Sequence, residues 1–341
     1  MKFQAVLSLV ICGLLSLSAS AETTIKILHL QKLPKVLEIW QQAAQEYEKA
    51  HPGVKIEFDY LENEAFKAKL PTLLQSKDRP TLFHSWGGGV MIEQINAGVV
   101  QDITAAIADG GFKDTFYPAG VQNFTYQGKT YGLPGDIAPI VFWYNKELCA
   151  KAGVDPTKIK TWDDFIDAVK KCQAAGITPL AVGGKDEWPL HFYPAFLLMR
   201  ILGKDGMQAV IEGKNGGLGG KGHANDIFAS VDGWLVAKDA PKETVDWMKV
   251  WLSNETQDKI AEEGLFIPVV KGTDESIKEP FYKAIAQEVG NTQWIQIAMD
   301  QLLGPDTGRV FNDACTDIAA GKLTADKAAK AIEDSWEQNN K

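Results

Sequence analysis

Apolar and polar positions change period along this chain, and the changes mark its elements. Residues 23–30, TTIKILHL, form a β-rich apolar run, and VKIEFDYL (54–61) alternates as a half-buried strand does. Between them Val36, Ile39, Trp40, Ala43, Ala44 and Tyr47 share one face at helical spacing, and His51-Pro52-Gly53 is the stop. AFKAKLPTLLQSKDRP reads as a helix that breaks, and TLFHSW (81–86) as the next strand. The order β-α-β-α-β predicts a parallel sheet covered by helices. Ligands of such sheets lie outside the carboxyl ends of the strands. That places the loop HSWGGG (84–89) where a ligand would be.

Farther on, MIEQINAGVV predicts a helix, GKTYGLP a short strand and turn, IVFWYN (140–145) an apolar strand, and KELCAKAG a helix with a glycine stop. TWDDFIDAVKKCQAAG opens with Thr161 three residues before Asp164, a variant of the capping box. ITPLAVGG (177–184) predicts a further strand. Residues 211–226 hold six glycines and little that is apolar, the composition of a loop or linker. IFASVDGWLVAK is strand-like, and KETVDWMKVWLSNETQDKIAEEG predicts one amphipathic helix. Helices near 280–303 and 324–336, with another between them, close the chain.

Composition narrows the function classes. The 341 residues suggest two lobes, and 45% hydrophobic with 23% charged residues is an ordinary globular balance. A net charge of −9 with no basic stretch argues against nucleic acid as a partner. The five histidines, at 29, 51, 84, 191 and 223, have no helical metal-site spacing, so no metal is expected. Residues 1–21 carry one lysine, an apolar run and Ala19-Ser20-Ala21, the three parts of an export signal. Cleavage after Ala21 would give an exported, periplasmic chain starting at Glu22. Cys12 lacks the small preceding residue that a lipid-modified cysteine needs, because Ile11 stands there. Cys149 and Cys172, on two neighbouring predicted helices, could form a disulfide, or all three remaining cysteines could be small buried apolar residues.

The glycine-rich stretches do not make nucleotide sites. WGGGVMI has Ile92 at the last glycine of a dinucleotide fingerprint, and NGGLGGKG has Asn215 and Gly222 where a P-loop needs glycine and Ser or Thr. No G-x-S-x-G elbow or HExxH motif occurs, and no carboxylate pair is marked as acid and base. No cofactor is expected.

Six segments in order, HPGVKIEF, LFHSWGGG, GKTYGLPGDIAPIVFWYNKEL, AGVD through KDEWP, KETVDWMKVWLSNETQDKIAEEG and DQLLGPDTGR through AAKAI, resemble the family 1 extracellular solute-binding proteins. These are the sugar-capturing components of ABC importers. The resemblance implies an α/β fold of type II periplasmic-binding-protein architecture, with two lobes, a hinge and an inter-lobe cleft. Lobe one would hold 22–135 plus 224–287, and lobe two 136–223 plus 288–341. It implies a non-catalytic monomer whose partners are a sugar and a membrane permease. The implied ligand residues are His84, Ser85 and Trp86 after the third strand, Asp136 in LPGDIAP, Trp188 in GGKDEWP, and Asp232 with Trp234 in SVDGW. The chain departs from the family near 204–223, where it is internally shortened and the second lobe would lose part of its core. Two alternatives stay open: a secreted carbohydrate-active hydrolase, for which no carboxylate pair is marked, or a shortened paralogue that does not transport, to which the 204–223 stretch points.

The residues themselves suit a sugar. Flat aromatics stack on its apolar face, and planar polar groups pair its hydroxyls, which are costly to bury unpaired. Trp40, Trp162, Trp247, Trp251 and Trp336 lie on helices and are expected in the core. Trp86, Trp188 and Trp234 lie in Gly- or Pro-flanked loops and beside acids, as ligand aromatics do. Trp143 fits either role. Gly87, Gly88 and Gly89 would turn the chain away from Trp86 and open backbone N–H groups to the solute.

Overall fold

The computed structural model describes residues 22–211 and 226–339. The proposed export signal (1–21) and most of the glycine-rich segment 211–226, where a shortening is expected, lie outside the described residues. The chain opens with strand β1 (Thr23–His29), helix α1 (Pro34–Ala50), β2 (Val54–Tyr60), α2 (Asn63–Leu74), β3 (Leu82–Ser85) and α3 (Gly88–Asn96). Next come β4 (Gly132–Pro139), α4 (Trp162–Ala174), α5 (Phe192–Ile211), β5 (Ile227–Val236), α6 (Lys242–Trp251) and α7 (Asn254–Glu262). The last elements are α8 (Pro280–Asn291), β6 (Ile295–Gln296), α9 (Met299–Leu302), α10 (Pro305–Ala319) and α11 (Ala325–Asn339).

The main sheet runs β2-β1-β3-β5-β4, with β6 paired to β5. β1 is parallel to β2 and β3, as the β-α-β-α-β reading requires, whereas β5 runs antiparallel to β3 and β4. The sheet is thus mixed. On α1, Val36, Ile39, Trp40, Ala44 and Tyr47 are buried on the predicted face. The capping box of α4 is complete: Thr161 Oγ1 accepts from the Asp164 N–H, and the Asp164 carboxylate accepts from the Thr161 N–H.

Two hydrophobic cores form. The larger gathers β1, β2, β3 and most of β4 and β5 with α1, α6 and α7. The smaller holds Ala195, Met199, Leu202, Met207, Phe228, Met299, Leu303 and Phe311. β5 passes from one to the other, with Phe228 in the small core and Val231 to Val236 in the large.

Several expectations are corrected. IVFWYN and ITPLAVGG are not strands. A strand needs a neighbour to pair with, and among the described residues neither run has one. From Ile140 to Leu190 no side chain is buried; Phe142, Trp143, Tyr144, Leu180 and Val182 are exposed. Trp162 is exposed too rather than in a core, because the apolar face of α4 meets no partner layer. Trp247 and Trp251 are buried as expected. The helix read from Lys242 to Gly264 is two, with Leu252 closing α6 and Ser253 preceding α7. The stretch near 280–303 is likewise interrupted by β6. Cys149, Cys172 and Cys315 are half-buried and unbridged. No described helix is long and apolar enough to cross a membrane.

Candidate functional site

β3 and β5 carry the site because their carboxyl-terminal and central residues meet side by side. His84 faces Trp234 across the antiparallel pair, and Ser85 faces Gly233. On the other side of β5, the register with β4 shifts between Pro134 and Asp136. The extra residue is Gly135, and the bulge re-aims the chain so that Asp136 comes opposite Asp232. Gly135 has no substitute here, since a Cβ would lie 2.7 Å from the Trp234 indole nitrogen. Gln257 of α7 fixes the bulge by donating to the Gly135 carbonyl at 3.2 Å, and its own carbonyl accepts from the Val269 N–H.

A cavity of about 580 Å3 opens over these residues. His84, Asp136, Asp232 and Trp234 line it, with Trp86 and Trp143 as further aromatic walls. His84 is wedged between two indoles, 4.6 Å from the Trp86 ring and 5.8 Å from the Trp234 ring, both edge to face. Trp234 is backed by Trp251 at 4.4 Å and Trp40 at 5.6 Å. Such packing holds the wall in one orientation before any ligand arrives.

The two carboxyl-bearing residues stand opposite each other across the β4–β5 pair. Burial, and then the charge of Asp232, push Asp136 well above the ordinary carboxylate value. For Asp232 burial opposes the charge, but His84, Asp136 and Ser230 together hold it below the ordinary value. Ser230 donates to Asp232 Oδ1 at 3.2 Å, and His84 Nε2 lies 3.3 Å from the same oxygen. The pair thus favours its proton on Asp136 rather than on Asp232. It offers a solute both a donor and acceptors.

Trp86 has a second cavity on its other side, of about 570 Å3, and Trp188 lines that one. Trp86 and Trp188 thus share a cavity, while Asp136, Asp232 and Trp234 line its neighbour across Trp86. Lys67 Nζ stands 5.5 Å from the Trp86 ring and bridges Glu64 at 3.4 Å and Asp300 at 3.5 Å. The Trp188 indole nitrogen is buried without a hydrogen-bond partner.

Ser85 and the glycines behave differently from expectation. Ser85 is buried, its Oγ accepts from the Gly87 N–H at 3.0 Å, and it does not line the cavity. Gly87 has φ of 73°, and a Cβ there would lie 2.2 Å from the Asn123 carbonyl oxygen. A Cβ on Gly88 would lie 2.8 Å from the Gln301 carbonyl oxygen, and one on Gly89 2.5 Å from that of Leu302. The glycines let α3 start against neighbouring backbone rather than opening N–H groups to a solute. Trp143, which sequence reasoning left undecided, is 71% exposed and stands on the cavity wall beside Phe281. Tyr282, Lys32 and Glu62 complete that wall and carried no sequence signal.

Residues 33–258 match the family model for bacterial extracellular solute-binding proteins. An uncharacterized ABC transporter extracellular-binding protein of Pyrococcus horikoshii is 28% identical over 182 residues, 52% of this chain and 41% of its own length. A probable sugar-binding periplasmic protein of Mesorhizobium japonicum is 36% identical over 101 residues, 29% of this chain and 24% of that one. The chain thus spans under half the length of these curated relatives. A solved chitin oligosaccharide binding protein superposes with a TM-score of 0.78 at 21% identity, covering 93% of this chain and 100% of that chain. The α/β fold is that of the periplasmic binding proteins.

Proposed function

The chain belongs to the bacterial extracellular solute-binding protein family, and on that premise we propose that it captures an oligosaccharide and presents it to the permease of an ABC importer. The observation that carries the reading is the pair of cavities sharing Trp86, one floored by Asp136 and Asp232 and the other walled by Trp188. Indole faces suit the C–H faces of sugar rings, and the carboxyl pair suits hydroxyls. Two adjoining cavities suit more than one sugar ring. The names of the relatives point the same way, since one is called sugar-binding and another chitin oligosaccharide binding.

Export by cleavage after Ala21 belongs to this reading. So does closure about β5, the strand that contributes to both cores. A glycoside hydrolase is not favoured. Its two carboxyls face each other about 5–10 Å apart from opposite sides of the scissile bond, whereas Asp136 and Asp232 are register partners on adjacent strands of one sheet.

A thermal-shift screen of neutral mono- and oligosaccharides tests the reading. A sugar that binds only the native state at ~100 times its Kd should add about 2.7 kcal/mol of stability. At least one oligosaccharide should raise Tm. No shift across the panel, with isothermal titration also silent, would overturn it.

A further inference from the structure

The charge at the floor of the first cavity is unbalanced. Its titratable or charged lining residues are Lys32, Glu62, His84, Asp136, Asp232 and Tyr282. Lys32 is spoken for by Glu62, 3.4 Å away at the exposed rim. What remains at the bottom is two carboxyls from paired strand positions and one imidazole. No lysine or arginine reaches them among the lining residues.

A second observation points to a ligand. His84 is 7% exposed, and its Nε2 is buried without a hydrogen bond, although Asp232 Oδ1 is only 3.3 Å away. A buried polar atom left unsatisfied at a cavity wall is costly. Here it sits beside two carboxyls that take a hydrogen bond from Ser230 and have acceptor capacity left over. A neutral hydroxyl brings one donor, whereas an ammonium brings three and a positive charge. Trp86, Trp143 and Trp234 surround the same space, and indole faces attract cations.

We propose that the preferred solute of this cavity is an amino sugar with a free, protonated amine, seated between Asp136 and Asp232. This rests on the saccharide reading above and specifies its substrate class. The ammonium N–H groups donate to both carboxylates. The proton shared by the pair leaves Asp136 for solvent, so binding one ammonium releases up to one proton and charge balances. The cation then replaces the proton as the group that lets the two acids lie together. Neutral sugars leave that proton in place.

Three disaccharides of the same linkage distinguish the outcomes: the β-1,4-linked dimer of glucosamine, its N-acetylated form, and the glucose dimer. Each is titrated calorimetrically at about pH 6.5, below the ordinary range of an amino group, in two buffers of different ionisation enthalpy. The amine dimer is expected to bind about tenfold or more tighter than either neutral dimer, a step of ~1.4 kcal/mol, and to release a proton. Asp136→Asn should weaken the amine dimer more than the neutral dimers, narrowing the preference to under about twofold, and should abolish the proton release. Circular dichroism checks that the variant is folded.

Equal or tighter binding of the glucose dimer would overturn the inference and leave the saccharide reading standing. Amine binding without proton release would also overturn it. If the amine dimer does not bind, the inference falls, and the neutral oligosaccharide panel decides whether the saccharide reading falls with it.

Discussion

Single residues already decide how this molecule should respond to pH. Asp136 keeps a proton in the fold that the unfolded chain gives up near the ordinary carboxylate value of about 3.9, because burial and Asp232 disfavour its charge. From that pH up to its raised native value the native state binds more protons, so stability falls as pH rises. His29 works in the opposite sense. Burial, and next the nearby His84, push its pKa down from 6.5 to about 4. Between those values the unfolded chain takes up a proton that native His29 refuses, and stability falls as pH falls, by up to about 3 kcal/mol across the window. Melting curves from pH 4 to 8 separate the two. Asp136→Asn should raise Tm near neutral pH by roughly 2–4 °C, the scale of about 1 kcal/mol, and remove the loss on the alkaline side. His29→Gln should remove the loss on the acid side. Unchanged profiles in both variants would refute these assignments. Asp136 and Asp232 were both legible in the sequence as acids near glycine and tryptophan, but their pairing was not. It depends on a bulge at Gly135, a change of register between strands about a hundred residues apart.

At the scale of elements, the first half of the chain was readable because its periodicity is local and its layers are complete. α1 buries the face its spacing predicts, and β1 to β3 pair in the expected order. The strands expected at IVFWYN and ITPLAVGG failed for the opposite reason. Apolar, β-branched runs become strands only beside a partner, and strand propensity is mostly a statement about that environment. The same local signals therefore leave Phe142, Trp143 and Val182 exposed. HSWGGG was legible as a ligand loop, yet its glycines serve packing. Gly87→Ala tests that. With the Asn123 carbonyl oxygen 2.2 Å from the added Cβ and a positive φ, the variant should lose about 2–3 kcal/mol of stability in denaturant unfolding. A loss under about 0.5 kcal/mol would mean the loop is free to move.

At the scale of the whole molecule, the two cores are unequal, and the apolar side chains from Val141 to Leu190 belong to neither. Trp143 marks the difference between stability and binding. It is 71% exposed but stands on the cavity wall. Trp143→Ser should shift unfolding free energy by no more than about 0.5 kcal/mol while weakening oligosaccharide binding; the reverse pattern would place it in a core instead.

The central claim is that an oligosaccharide rests on Trp86, the wall common to both cavities. Isothermal titration of the parent and of Trp86→Ala with the most stabilising oligosaccharide of the neutral panel tests it most directly. Trp86→Ala should lose about 1–3 kcal/mol, roughly 5- to 150-fold in Kd, while remaining folded. Equal affinity in the two proteins would contradict it.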